Sequence, residues 1–174
     1  RPVIGDEPFA VLLADDLMDA DDGQPPVMAQ MAHLYETEQA SIVAVQDVPR
    51  SATRQCGIVS STPYKERLEQ MNGIIEKPMP EDAPSTLGVS GRYILSNRIF
   101  DYLEDQVKGQ GGEIQLTDAI ARLLQNEPVY AYRYAAARYD CGSKLGYLEA
   151  SVALGLKHPE TGAAFAAYLR SLSF

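Results

Sequence analysis

Phe9-Ala10-Val11-Leu12-Leu13-Ala14 is an unbroken apolar run that stops at Asp15-Asp16. A central strand covered on both faces reads this way, because neither face needs alternating polar residues. An acidic turn follows from Asp19 to Gly23, and Pro25-Pro26 then suits a helix start, where the first backbone donors are unused. Met28, Met31, Leu34 and Tyr35 recur at helical spacing to near Gln39, and Ser41-Ile42-Val43-Ala44-Val45-Gln46 is the next strand. Strand, helix, strand at these lengths is a βαβ unit, which predicts a parallel pair. The fold class is α/β.

Beyond this unit the strands shorten. Cys56 to Ser60, Ile74 to Lys77 and Leu87 to Leu95 read as strands joined by turn-rich connections. Pro78 to Pro84 is a polar, proline-interrupted loop placed to cross over an active site. Ser96 is placed to cap a helix carrying Ile99, Phe100, Leu103 and Val107. Gly109 to Gly112 reads as a flexible loop, and Thr117 or Asp118 opens a helix through Ile120 and Leu124. Val129 to Tyr134 alternates like a half-exposed strand. Two helices close the chain, near Lys144 to Leu156 and Glu160 to Leu172. The sheet these elements predict is mixed.

The chain has 174 residues, enough for one domain with a sizeable core. Its net charge of -9 argues against a basic nucleic-acid-binding face, while a local Lys or helix N-terminus can still hold an anionic metabolite. Two cysteines, Cys56 and Cys141, form neither a disulfide framework nor a metal cluster and read as reduced thiols. No apolar run approaches membrane-spanning length. The expectation is a cytoplasmic protein with small-molecule ligands, no nucleic acid and no membrane partner. Arg1 to Asp6 shows neither an initiator Met nor a targeting pattern, so the chain reads as starting partway through a domain.

Several residues carry candidate chemistry, each beside a plainer role. Asp15 ends a strand, where ligands of open α/β sheets bind, and a carboxylate there suits Mg²⁺; equally, Asp15 or Asp16 can form a turn or cap. Asp140 can supply a second carboxylate or cap the helix beginning near Lys144. Glu76 and Lys77 pair an acceptor of sugar hydroxyls with a phosphate-holding ammonium, or lie solvated at a strand end. A bend at Pro78, with Lys77 extended, would let both reach one cleft. Gly57 and Gly91 interrupt strands, as a bulge or a closely approaching ligand requires. His33 and His158 lie far from any nucleophile, and neither a Ser/His/Asp nor a Cys/His set nor a dinucleotide fingerprint is present. The tyrosines at 130, 132, 134 and 139 read as core and sheet surface.

Taken together, Leu12 to Asp16, Cys56 to Val59, Ile75 to Pro78, Gly91 to Leu95, Gly112 to Ile120 and Tyr139 to Tyr147 resemble one family, over nearly the whole chain. It is bacterial UTP–glucose-1-phosphate uridylyltransferase, also called UDP-glucose pyrophosphorylase. The Glu-Lys-Pro run and the aspartate-ended strand are general to sugar nucleotidyltransferases. Gly-Glu-Ile-Gln-Leu-Thr-Asp-Ala-Ile and Tyr-Asp-Cys-Gly-x-Lys-x-Gly-Tyr point to the uridylyl branch.

The resemblance implies a Rossmann-like nucleotidyltransferase fold with a mixed sheet, and a Mg²⁺-dependent reaction of UTP with glucose 1-phosphate to UDP-glucose and pyrophosphate. It implies Asp15 and Asp140 as metal ligands, Glu76 on glucose hydroxyls and Lys77 on phosphates. Gly57 and Gly91 would bring backbone close to the sugar. A dimer or tetramer is the family's habit. Cys56 stands where the family usually has an aromatic residue, and Ala14 where proline or glycine is common.

The family also opens with a strand, a glycine-rich basic loop that cradles the nucleotide phosphates, and a segment that contacts the base. These do not occur in residues 1–174, which correspond to the sugar- and metal-binding C-terminal portion of one domain. The expectation is therefore an N-terminally truncated fold with no appreciable activity by itself. The strand ending at Asp15 would lack a neighbour, to be covered by an N-terminal piece or by self-association. The alternatives are a sister nucleotidyltransferase making a dTDP- or ADP-sugar, or a non-catalytic sugar-nucleotide-binding domain.

Overall fold

The structure is a computed structural model describing residues 2–20, 23–105 and 112–173. In chain order the elements are β1 (Phe9–Leu12), β2 (Asp16–Ala20), α1 (Val27–Glu38), β3 (Ser41–Asp47), β4 (Gly57–Lys65), β5 (Leu68–Glu76), β6 (Leu87–Leu95), α2 (Ile99–Glu104), α3 (Leu116–Leu123), β7 (Val129–Arg133), β8 (Ala136–Asp140), α4 (Lys144–Lys157) and α5 (Gly162–Ser171). A mixed six-stranded sheet runs β1-β6-β3-β7-β5-β4, and β2 and β8 form a separate two-stranded antiparallel ribbon.

Burial explains which strands sit centrally. β3 presents Ile42, Val43, Ala44 and Val45, all fully buried, so both its faces are covered. Val43 and Val45 pack with Ile99, Ile120 and Leu123 of α2 and α3 on one side. Ile42 and Ala44 pack with Val27 and Met31 of α1 and with Tyr130 and Tyr132 on the other. The result is helix, sheet, helix. Full burial of a side chain such as Ile120 stabilises by about 1.5–3 kcal/mol, so these layers dominate the energetics. α1 ends where Gln39 turns left-handed at φ 50° and its N–H closes on the Tyr35 carbonyl. Among the described residues no helix is long and apolar enough to cross a membrane.

Several expectations change. β1 and β3 run in the same direction but are not neighbours, because β6 lies between them, antiparallel to both. The parallel pair is β3 with β7. β1 is an edge strand rather than a central one: β6 pairs with it on one side and, among the described residues, no strand pairs with it on the other, which is the side expected to lack a neighbour, and Leu12 at its end is 54% exposed.

Asp19 and Ala20 belong to β2 rather than to a turn, and Asp21 and Asp22 lie outside the described residues, as do Val107 and Gly109 to Gly111. β7 is buried on both faces instead of half-exposed, since its tyrosines pack under α1. β4 and β5 extend past Ser60 and before Ile74 into a hairpin of nine residues a side.

Neither predicted hydroxyl cap forms. Ser96 donates to Glu127 Oε1 at 2.6 Å, and α3 starts from Gln115 while Thr117 turns elsewhere. Pro78 to Pro84 does not line the cavity described below. Arg50 Nη2 holds the Ala83 carbonyl at 2.9 Å, and Thr53 Oγ1 donates to the Pro78 carbonyl, which ties the loop to the 3₁₀ turn at Arg50–Gln55.

One detail of the sheet prepares the site. Along one edge of β6, β4 pairs Leu87 and Gly88, and β1 pairs Arg92 to Leu95. Val89 to Gly91 are left between the two partners. On the opposite edge the register slips there: β3 advances from Val43 to Val45 while β6 advances from Tyr93 to Val89. Gly91 sits in this bulge, and the gap beside it opens into a cavity.

Candidate active site

The ends of β1, β2, β4, β5 and β8 meet at that gap and line a cavity of about 320 Å³. Asp15, Gly57, Glu76, Lys77, Gly91 and Asp140 all line it. The six residues singled out from the sequence are therefore brought together, although they come from five separate segments.

One wall is built on the large sheet. Gly57 of β4 pairs directly with Glu76 of β5. Glu76 Oε2 accepts from Thr117 Oγ1 at 3.0 Å, and its Oε1 lies 3.5 Å from Lys77 Nζ. Adjacent strand residues point to opposite faces, so a bend is needed to bring Glu76 and Lys77 together. Lys77 supplies it with a φ of 45° rather than the expected extended geometry. Left-handed backbone in a side chain other than glycine is strained, and such strain gathers at functional sites. The Lys77 N–H, at 3.2 Å from the Cys56 carbonyl, holds the bend against β4. A Cβ at Gly57 would stand 2.9 Å from Thr117 Cγ2, so this glycine lets α3 bring its threonine to Glu76.

The opposite wall is the β2–β8 ribbon. After β1 the chain turns tightly, with the Leu13 N–H on the Gly91 carbonyl at 3.0 Å and the Asp16 N–H on the Leu13 carbonyl at 3.3 Å. The Asp15 carbonyl then accepts the Cys141 N–H at 2.7 Å. Asp15 Oδ2 and Asp140 Oδ1 lie 3.0 and 3.1 Å from where a Cβ on Gly142 would stand, so the two carboxylates come close together beside this glycine, whose N–H Asp140 Oδ1 accepts at 3.1 Å. Asp140 is not the cap of α4; Ser143 is, its Oγ accepting the Gly146 N–H at 3.0 Å.

The neighbouring carboxylate, Asp16, points inward and is 5% exposed. Its Oδ2 accepts the Gly91 N–H and its Oδ1 accepts Arg138 Nε, each at 2.6 Å. Gly91 is a glycine for this reason as well, since a Cβ there would stand 2.8 Å from Leu13 Cβ and 2.9 Å from Asp16 Cβ.

The electrostatics follow from burial and these contacts. Burial, with the charges of Glu76 and Asp16, pushes the Tyr93 phenol up to about 12. Burial likewise raises the Cys56 thiol, which stays protonated and unreactive at neutral pH. For Arg138 burial opposes the charge, but the hydrogen bond and charge of Asp16 outweigh it and hold the guanidinium above its ordinary value.

The Asp15 and Asp140 carboxylates fit a divalent cation. Mg²⁺ prefers oxygen donors and takes one or two carboxylates, leaving its other positions for water and phosphate. Among the described residues no group of three or more His, Cys, Asp or Glu forms a complete protein cage. A two-carboxylate site is the open kind that a phosphate-bearing ligand completes.

Asp16, Tyr93, Thr117 and Arg138 also line the cavity and were not picked out from the sequence. Arg138 left one usable signal: it stands two residues before Asp140 in a strand, hence on the same face. Thr117 left none, because its position two residues into α3 reads as a helix opening.

Fold and cavity together define an α/β protein with a mixed sheet, whose candidate site is a cavity at strand ends between a paired-carboxylate wall and a Glu-Lys wall. The sequence pattern of the nucleotidyl transferase family matches residues 1–155, and the chain belongs to that family. It is similar to the UTP–glucose-1-phosphate uridylyltransferase of Staphylococcus haemolyticus, at 42% identity over 174 residues, all of this chain and 59% of that protein. The enzyme of the same name from Pseudomonas aeruginosa is 47% identical over 151 residues, 87% of this chain and 54% of that protein.

Among solved structures, a UDP-glucose pyrophosphorylase complexed with UDP-glucose superposes with a TM-score of 0.87 at 43% identity, over 90% of this chain and 59% of that one. A UTP-bound UGPase from Acinetobacter baumannii gives 0.85 at 41%, over 99% and 59%. The nucleotidyltransferase fold expected from the sequence is thus the fold observed. The chain spans less than three fifths of the length of these relatives.

Proposed function

We propose that this chain forms the sugar- and metal-binding side of a site that transfers a uridylyl group between UTP and glucose 1-phosphate, giving UDP-glucose and pyrophosphate. One observation carries the reading: the Asp15–Asp140 pair and the Glu76–Lys77 pair face each other across one cavity of about 320 Å³. Similarity to a structure complexed with UDP-glucose supports the choice of ligand.

In this reading Glu76 accepts hydrogen bonds from glucose hydroxyls, with Thr117 holding one of its oxygens in place. Lys77 holds phosphate oxygens as a point charge. Asp15 and Asp140 hold Mg²⁺, which when bound offsets negative charge on the phosphates. An oxygen of the glucose phosphate forms a bond to the α-phosphorus of UTP as the bond to the departing pyrophosphate breaks. Such a transfer depends on in-line positioning and charge neutralisation rather than on a covalent intermediate. The cavity accordingly offers carboxylates, cations and backbone, and its one thiol is held protonated by burial.

The two free cysteines support a reducing, cytoplasmic setting. Exposed Leu145, Tyr147 and Leu148 on α4 and Tyr168 on α5 support self-association as a dimer or tetramer.

Calorimetric titration with UDP-glucose tests the reading. Binding in Mg²⁺ that weakens in EDTA and in Asp15→Ala is the expected result. Equally tight binding without metal would favour a non-catalytic sugar-nucleotide-binding module instead.

A further inference from the structure

Arg138 is a charged group for which the reading above has no task. It precedes Asp140 by two residues on β8, so both side chains leave the same face of the ribbon. Its Nε donates to the buried Asp16, whose other oxygen is taken by the Gly91 N–H. A guanidinium carries five N–H donors in a rigid fork. Among the described residues Asp16 is the partner Arg138 bonds to, through Nε alone, so its two terminal amino groups keep their donors. The side chain lines the cavity.

The charge balance gives these donors a purpose. The cavity wall carries four carboxylates, Asp15, Asp16, Glu76 and Asp140, against two cations, Lys77 and Arg138. Lys77 is already drawn to Glu76 at 3.5 Å. An anionic ligand entering this space needs a cation that is fixed in place and has donors to give. Arg138 meets both conditions, and a forked pair of amino groups matches two phosphate oxygens better than an ammonium does.

We propose that Arg138 contacts a phosphate of the ligand in this cavity, and that Asp16 is the positioning residue that fixes its guanidinium. The proposal deepens the sugar-nucleotide reading and rests on it for the ligand's identity. The bland alternative is that Arg138 only neutralises Asp16 and keeps the ribbon folded.

Titrations of wild type, Arg138→Lys, Arg138→Gln, Asp16→Asn and Glu76→Gln with UDP-glucose and with inorganic pyrophosphate, all in Mg²⁺, separate the two. Arg138→Gln is expected to weaken both ligands by about tenfold or more, the loss of a charge-assisted contact. Arg138→Lys, which keeps the charge without the fork, should lose less. Raising salt from about 50 to about 250 mM should weaken ligand binding more in wild type than in Arg138→Gln. Mg²⁺ affinity without ligand should not fall in Arg138→Gln, because removing a cation beside carboxylates does not disfavour another. Should Arg138→Gln fold poorly, the Arg138→Gln/Asp16→Asn double variant removes the unpaired buried carboxylate and is titrated in its place.

Arg138→Gln binding both ligands within about twofold of wild type, while Glu76→Gln loses UDP-glucose, would overturn the phosphate contact and leave the sugar-nucleotide reading intact. Equal losses in Arg138→Gln and Asp16→Asn, with Mg²⁺ affinity falling alongside, would also overturn it in favour of a structural role. If wild type binds pyrophosphate through Arg138 but does not bind UDP-glucose, the contact stands and the sugar-nucleotide reading falls.

Discussion

The two walls of the cavity are held in different ways. The Glu76 wall grows out of the six-stranded sheet, whose central strands are covered by α1 on one face and by α2 and α3 on the other. The Asp15–Asp140 wall grows out of the β2–β8 ribbon, a pair of short strands with no comparable core of its own. An isolated two-stranded hairpin is marginal in water. The ribbon is therefore placed by specific polar bonds: Asp16 to Gly91 and Arg138, the Asp15 carbonyl to Cys141, and Asp19 to Lys157 of α4 at 2.7 Å. Apolar burial fixes the Glu76 wall, whereas the Asp15–Asp140 wall relies on a few hydrogen bonds together with Met18 and Ala136, which pack against the core at the far end of the ribbon.

That contrast can be broken most forcefully at Asp16. Asp16→Ala leaves a partly buried guanidinium and a buried N–H without partners and should cost about 3–5 kcal/mol in urea unfolding. Hydrogen exchange should locate the loss in β2 and β8 more than in β3 and β7. A uniform loss over the sheet would erase the distinction between the walls.

Tyr93 gives the next effect, through pH. Its phenol titrates near 12 in the folded chain, against an ordinary value near 10 when unfolded. The folded state thus keeps a proton that the unfolded state has released, so stability is full below pH 10 and falls as pH rises toward 12. The decline attributable to Tyr93 is roughly 2–3 kcal/mol over that window, and Tyr93→Phe should remove it. Tyr134, also raised mainly by burial, leaves part of the slope in place.

Gly91→Ala tests the seam between the walls. Its Cβ would press on Leu13 and Asp16, with an expected cost of about 1–3 kcal/mol and weaker Mg²⁺ binding, read by thermal melts and metal titration. Lys157→Met should have the smallest effect. The Lys157–Asp19 pair is half exposed on the lysine side, so a loss of about 1 kcal/mol or less is expected in the same melts.

The sheet wall was far more legible in the sequence than the ribbon. The sequence pattern marks β6 from Leu87 to Leu95, as it stands, and α1 and α4 to within about two residues, because apolar periodicity reports on packing against a large core. The β4–β5 extension was missed because Pro63 and a run of exposed side chains from Pro63 to Glu66 look like a loop. The insertion of β6 between β1 and β3 was invisible, since strand order depends on pairings far apart in the chain. At the site, strand-end carboxylates and glycines gave the cavity's membership. The bonds that orient them were hidden: Gly91 to Asp16 spans 75 residues, Thr117 to Glu76 spans 41, and Arg138 to Asp16 spans 122.

If both walls serve one ligand, the two must be thermodynamically coupled. UDP-glucose affinity would be measured across a range of Mg²⁺ concentrations in wild type, Glu76→Gln and Asp15→Asn. Mg²⁺ is expected to tighten UDP-glucose and, by linkage, UDP-glucose to tighten Mg²⁺ by the same factor. Glu76→Gln should weaken UDP-glucose and keep the coupling, whereas Asp15→Asn should abolish the coupling. Metal-independent binding in wild type, with Glu76→Gln indistinguishable from it, would show that the two walls do not share a ligand.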